Sequence, residues 1–233
     1  MPRIPPSVAA QAYHALMTPL HIDFVSDVAC PWCAIGLAGL EEALRRTSDT
    51  LQARIEFQPF ELNPDMGPEG QNLDEHIGEK YRSTPQQLEA SRQALRERAA
   101  TVGFQFNSSS RSRVYNTFDA HRLIHWAGTL DSRLQRQLKR ALFKANFTDD
   151  ARISDPEVLA RIAEATGLDG QEARALLASD RYSREVREAE ALWHSRGITA
   201  VPGMVINGKW LISGGQPPEI IEQALRRIAS SET

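Results

Sequence analysis

The stretch Leu20-His21-Ile22-Asp23-Phe24-Val25-Ser26-Asp27-Val28-Ala29-Cys30-Pro31-Trp32-Cys33-Ala34-Ile35-Gly36-Leu37 decides how this chain is read. Its first half alternates. Leu20, Ile22 and Phe24 are apolar, His21 and Asp23 are polar, and Val25 adds one more apolar residue, the pattern of a strand that is at least half buried. Its second half changes period: Cys33, Leu37, Leu40 and Leu44 draw one apolar stripe along a helix that ends near Arg46, where Arg45 and Arg46 suit the C-terminal end. The two cysteines fall at the junction, directly after the strand and in the first turn of the helix.

That junction has a chemical consequence. Disulfide exchange proceeds by attack of a thiolate on sulfur, so it needs one cysteine that ionises readily and a second close enough to displace it from a mixed disulfide. Cys30 at the helix N-terminus meets unpaired backbone N–H groups and the positive end of the dipole, which favour a thiolate. We therefore expect Cys30 to be the exposed, attacking nucleophile and Cys33, one turn further in and facing the core, to be the resolving thiol. Pro31 starts the helix without wasting a donor, and Trp32 forms an apolar surface beside the site, so both are expected to touch substrate. Asp27 is either a proton acceptor for Cys33 or a cap of the following turn.

Two blander readings compete: a pair of small buried hydrophobes, or half of a zinc site completed by His121 and His125, which stand at i, i+4 spacing. The strand-to-helix setting favours redox chemistry over both, with no metal and no bound cofactor.

Working outward, Arg54 to Phe60 alternates again and gives a second strand, so the opening is strand, helix, strand. From about Leu73 to Arg196 the pattern is almost wholly helical. Thr84, Pro85 and Gln87 form a helix start, as do Ser154 with Pro156 and Glu157, and Asp169 with Glu172; Gly103, Gly167 and Gly197 mark ends. Strand signals return at Met204 to Ile206 and Trp210 to Ile212 around the turn Asn207-Gly208. A last helix from about Pro218 to Ser230 should face the sheet with Ile220, Ile221, Leu225 and Ile228. The fold class is α/β, a thioredoxin-like βαβ … ββα order with a large all-helical insertion. Its expected divisions are an N-terminal arm at 1–19, a thioredoxin-like domain at 20–66 and 197–233, and an inserted helical domain at 67–196.

Composition bounds the partners. The 233 residues are 41% hydrophobic with a formal net charge of −3, and the basic residues are scattered, so nucleic acid is not expected. The apolar run around the cysteines is interrupted by Pro31 and too short to span a membrane. The N-terminus lacks the greasy core of a secretory signal, which leads to a cytoplasmic, reducing location. With two cysteines in all, no disulfide framework holds the fold.

The chain resembles the thioredoxin superfamily and, more narrowly, its DsbA-like branch, the FrnE-type proteins with a helical insertion. The resemblance covers roughly Leu20 to Ser230. It rests on Cys30-Pro31-Trp32-Cys33, on Phe60-Glu61-Leu62-Asn63-Pro64, on the Asn116 to Trp126 helix and on Gly197-Ile198-Thr199-Ala200-Val201-Pro202-Gly203. It implies that Pro202 is a cis-proline lying across from the cysteine pair, with Val201 turned so that its backbone pairs with an extended substrate segment. It also implies a thiol–disulfide oxidoreductase or protein disulfide isomerase acting on protein thiols and disulfides or small thiols, with glutathione as a redox partner. Related 2-hydroxychromene-2-carboxylate isomerases and kappa-class glutathione transferases replace the first cysteine, whereas this chain keeps both. The alternatives are a glutathione-dependent isomerase or transferase of small molecules and a redox-controlled chaperone. His121, His125 and Trp126 are expected to pack a helix face, Asn116 to serve as a cap or loop hydrogen-bonding residue, and Trp210 to pack the sheet.

Overall fold

The computed structural model describes residues 18–82, 84–107 and 113–231. Most of the expected N-terminal arm lies outside them. Thr18 and Pro19, which the sequence assigned to that arm, instead begin the first strand and pair with Leu51 and Gln52.

Strand β1 (Thr18–Ser26) occupies the interior of a four-stranded sheet ordered β2-β1-β5-β6, with β2 at Leu51–Pro59, β5 at Gly203–Ile206 and β6 at Trp210–Ser213. β1 is parallel to β2, antiparallel to β5, and β5 is antiparallel to β6. A parallel neighbour needs a crossover, and helix α1 (Pro31–Arg46) supplies it. β2 starts at Leu51, earlier than the Arg54 read from the alternation. Gln52 and Arg54 face solvent there while only Leu51 and the small Ala53 turn inward, so the periodic signal fades.

The insertion carries α2 (Leu73–Tyr81), α3 (Pro85–Thr101), α4 (Phe118–Leu130), α5 (Ser132–Phe147), α6 (Pro156–Ala165), α7 (Gly170–Leu177) and α8 (Ser183–Ser195); α9 (Pro218–Ser231) closes the chain against α1. The start of α3 follows its sequence signal: Thr84 and Gln87 form a reciprocal capping box. The start of α6 does not. Asp155, not Ser154, caps it by accepting from the Glu157 and Val158 N–H groups, while Ser154 Oγ donates to the Pro68 carbonyl at 2.7 Å. A two-stranded ladder, β3 (Gln71–Asn72) with β4 (Arg113–Val114), interrupts the supposedly all-helical stretch; two residues per strand are too few for a period to show.

One apolar core runs through both the insertion and the sheet. It joins Ile22 and Phe24 of β1 and Leu40 of α1 to Leu123 of α4 and Leu138 and Leu142 of α5. Two surface assignments change. Ile220 is 48% exposed, so of the four apolar residues read for the inward face of α9 only Ile221, Leu225 and Ile228 are buried; Trp210 is 40% exposed on the edge strand, with Lys209 Nζ 5.3 Å from its ring centroid, and lies at the surface rather than in the core. His125 is half-buried against Tyr182 at 5.2 Å, while His121 and Trp126 are buried as expected.

Candidate active site

β1 delivers the motif. After Ser26 the chain turns through Asp27, Val28 and Ala29, and Cys30 becomes the N-cap residue of α1 with Pro31 in the first turn. The turn is fixed by its acid: Asp27 Oδ1 accepts from the Ala29 N–H at 3.0 Å and Oδ2 from the Leu62 N–H at 2.7 Å, so one carboxylate ties the cysteine loop to the segment following β2. His121 Nε2 lies 3.4 Å from the same carboxylate, and both side chains are almost wholly buried. Burial acts to raise the Asp27 pKa, but His121 and the two N–H groups outweigh it, and the carboxyl is held below its ordinary value. Of the two readings of Asp27, the geometry is that of the cap.

Both thiols are free. Cys30 is 4% exposed rather than open to solvent as expected, because the Val201 carbonyl lies above it, 3.7 Å from Sγ. The Val201–Pro202 peptide is cis, and Pro202 sits so close to α1 that a Cβ on Gly36 would stand 2.9 Å from Pro202 Cγ. Cys30, Pro31, Trp32 and Val201 thus meet at one place, and all four line a cavity of about 1100 Å³. Pro202 backs that wall from the α1 side. Helices α2 and α3 cover the cavity from the insertion, and Phe60 and Phe147 add apolar wall. His121, His125 and Trp126 do not line it. Asn116 accepts from the Phe118 N–H and donates to the Met66 carbonyl, a loop role as expected.

Cys33 is fully buried, one turn into α1. Burial pushes its thiol far above the ordinary value, and the neighbouring Cys30 adds to the rise; the charge of Lys139 and the Asp27 backbone N–H act the other way. Among the described residues, the group of His, Cys, Asp or Glu ligand atoms lying within 4.8 Å of one another is His21, Asp23 and Glu56 on β1 and β2, away from the motif.

Two features escaped the sequence reading. Glu61, quoted only as part of a motif, is 6% exposed and lines the same cavity. Arg187 of α8 bridges it to Glu190, and burial, helped by the Glu190 charge, raises Glu61 to about 7 despite Arg187. Lys139 of α5 is fully buried. The signal for it was present: a charged residue sits among Leu138, Leu142 and Phe143 on an otherwise apolar face.

A Cys-x-x-Cys pair at the N-terminus of the first helix of a βαβ … ββα sheet, opposite a cis X-Pro peptide, defines a thioredoxin-like protein. More closely, residues 21–226 match the family model for the DSBA-like thioredoxin domain, and the chain belongs to that family. A probable DsbA oxidoreductase from Streptomyces coelicolor is 32% identical, over 92% of this chain and 91% of its own, with a TM-score of 0.84. A 2-hydroxychromene-2-carboxylate isomerase shares the fold at 16% identity, over 91% of this chain and 97% of its own, with a TM-score of 0.69. The cytosolic disulfide reductase DsbM from Pseudomonas aeruginosa, solved with glutathione, shares it at 19% identity, over 88% of this chain and 99% of its own, with a TM-score of 0.58.

Proposed function

We propose that this protein is a thiol–disulfide oxidoreductase in which Cys30 attacks and Cys33 resolves. The observation that carries the reading is the setting of Cys30: N-cap of α1, lining a large cavity, with the Val201 carbonyl 3.7 Å from its sulfur. A thiolate at Cys30 attacks a substrate disulfide, one substrate sulfur leaves as a thiolate, and Cys33 then displaces the other. Val201, held by Pro202, offers its backbone to an extended substrate segment, and Pro31 and Trp32 form the facing wall. Its substrates on this reading are protein thiols and disulfides or small thiols. We place it in the cytoplasm, where DsbM is a cytosolic reductase, and a reducing compartment favours reduction or isomerisation over net oxidation.

The cavity also favours a second reading. A space of about 1100 Å³ beside the nucleophile accommodates a tripeptide thiol such as glutathione, as redox partner or as cosubstrate of a small-molecule isomerase. Variants separate the two. With reduction of insulin disulfides as the assay, Cys30→Ser should fall to the uncatalysed background, and Cys33→Ser should accumulate a covalent mixed disulfide with its substrate. A Cys30→Ser protein that keeps the wild-type rate overturns the redox reading. Glutathione binding that persists in the double-serine protein, with no insulin reduction by the wild type, establishes the second.

A further inference from the structure

His21 and Asp23 stand two positions apart on β1 and so share one face of the sheet; Glu56, the register partner of Asp23 on β2, stands beside them. Each of the three is held from behind. Gln58 Nε2 donates to Asp23 Oδ1 at 2.7 Å, Arg54 Nη2 lies 2.7 Å from Glu56 Oε1, and the His21 backbone N–H donates to Asn207 Oδ1 at 2.9 Å. The second oxygen of each acid is turned on one imidazole nitrogen: His21 Nε2 lies 3.4 Å from Asp23 Oδ2 and 3.8 Å from Glu56 Oε2. The three ligand atoms all fall within 4.8 Å of one another.

Those separations decide between two accounts of the cluster. A protonated imidazole hydrogen-bonded to a carboxylate stands about 2.7 to 2.9 Å from it, and neither contact is that short. The edge of a tetrahedron around zinc, with its ligands about 2.1 Å from the metal, is about 3.4 Å. His21 and Asp23 span that edge as they stand, and Glu56, on the partly exposed rim, reaches it by a small turn of its side chain. An imidazole nitrogen beside two carboxylate oxygens suits zinc and the neighbouring transition metals, whereas calcium and magnesium take oxygen ligands.

We infer that His21, Asp23 and Glu56 bind a zinc-type divalent cation, with water at the fourth position. Asp23 is buried, while His21 and Glu56 reach the surface and give the ion its way in. Arg54 is the competing cation, but it is exposed and pairs with the Glu56 oxygen that the site does not use. The site lies on the sheet face that carries Val25 and Val205, none of its residues lines the cavity beside Cys30, and the inference stands apart from the redox reading. Its role is to fasten β1 to β2, whose following segments are joined again by Asp27 and Leu62. The sequence led to an expectation of no metal, since Glu56 joins His21 and Asp23 only when β2 lies beside β1.

The test uses the full chain as the Cys30→Ser/Cys33→Ser protein, because a Cys-x-x-Cys pair itself attracts zinc and would mask the site. Zinc chloride titrated into it should bind at one equivalent by calorimetry. Cobalt chloride should give the visible absorption of a four-coordinate cobalt centre with no thiolate charge-transfer band. His21→Ala and Glu56→Gln should each weaken zinc by at least about tenfold, and Gln58→Ala, which frees Asp23 Oδ1, should weaken it about tenfold. Zinc should also raise the melting temperature of the double-serine protein, and magnesium chloride should not. Absence of zinc binding overturns the inference, and so does binding that is equal in His21→Ala and Glu56→Gln, which would mean adventitious zinc only. If those variants fail to fold, a melting temperature that zinc leaves unchanged overturns it equally. The insulin assay on the wild type judges the redox reading separately, so either can fail alone.

Discussion

Glu61 carries a prediction that follows from its surroundings alone. Folded, it is raised from 4.5 to about 7 by burial and by the Glu190 charge, so the folded chain keeps a proton that the unfolded chain releases. Its contribution to stability is therefore complete below about pH 4.5 and is lost as the pH rises towards 7. Urea unfolding across that window should show a decline for wild type that is flattened in Glu61→Gln, whose amide stays neutral throughout. Equal slopes in the two proteins would rule out Glu61 as the source. At this scale the sequence was legible where a residue's type and its neighbours in the chain determine its setting, as for Cys33 one turn into its helix, while the cis bond at Val201-Pro202 came from the family resemblance alone. Lys139 stood in view as a charge on an apolar helix face and went unread. The sequence was silent on Glu61 because the character of that residue comes from burial and charge supplied by distant segments, Arg187 and Glu190. The burial of Cys30 was missed for the same reason: the carbonyl above it comes from Val201.

Among the elements, α1 packs closely on the turn before β5, whose Val201 lines the cavity beside Cys30. Gly36 permits it, since an added Cβ would stand 2.9 Å from Pro202 Cγ and the turn would have to move off the helix. Gly36→Ala should lose about 1 to 3 kcal/mol of stability, as overpacked sites do, and should slow disulfide reduction several-fold as Val201 shifts away from Cys30. Calorimetry and the insulin assay check the two halves, and a variant of undiminished rate would show that the wall does not position substrate. The long helices were readable because caps and stripes repeat over many residues, as at Thr84 and Gln87. The β3–β4 ladder was not, since two residues have no period, and at α6 two adjacent capping residues, Ser154 and Asp155, offered the same signal until Pro68 claimed the serine.

For the whole molecule, the common core predicts how it comes apart. β2 packs against α4, α5 and α8, and the apolar cluster is continuous from β1 to the insertion. We expect far-ultraviolet circular dichroism, dominated by the insertion, and tryptophan fluorescence, which includes Trp32 at the site, to report a single coincident transition in denaturant. Two separated transitions would mean that the insertion unfolds as its own domain. The order of elements was legible at this scale, and the shared core was not, because no local pattern says which apolar faces meet.

Cys30 and Val201 stand 171 positions apart in the chain. At the roughly 5 to 20 residues per second of protein synthesis, the second is made about 9 to 34 s after the first. Throughout that interval the ribosome holds out a nascent chain whose two thiols exist without the carbonyl that covers one of them. The cysteine pair is thus made well before the carbonyl that comes to cover Cys30.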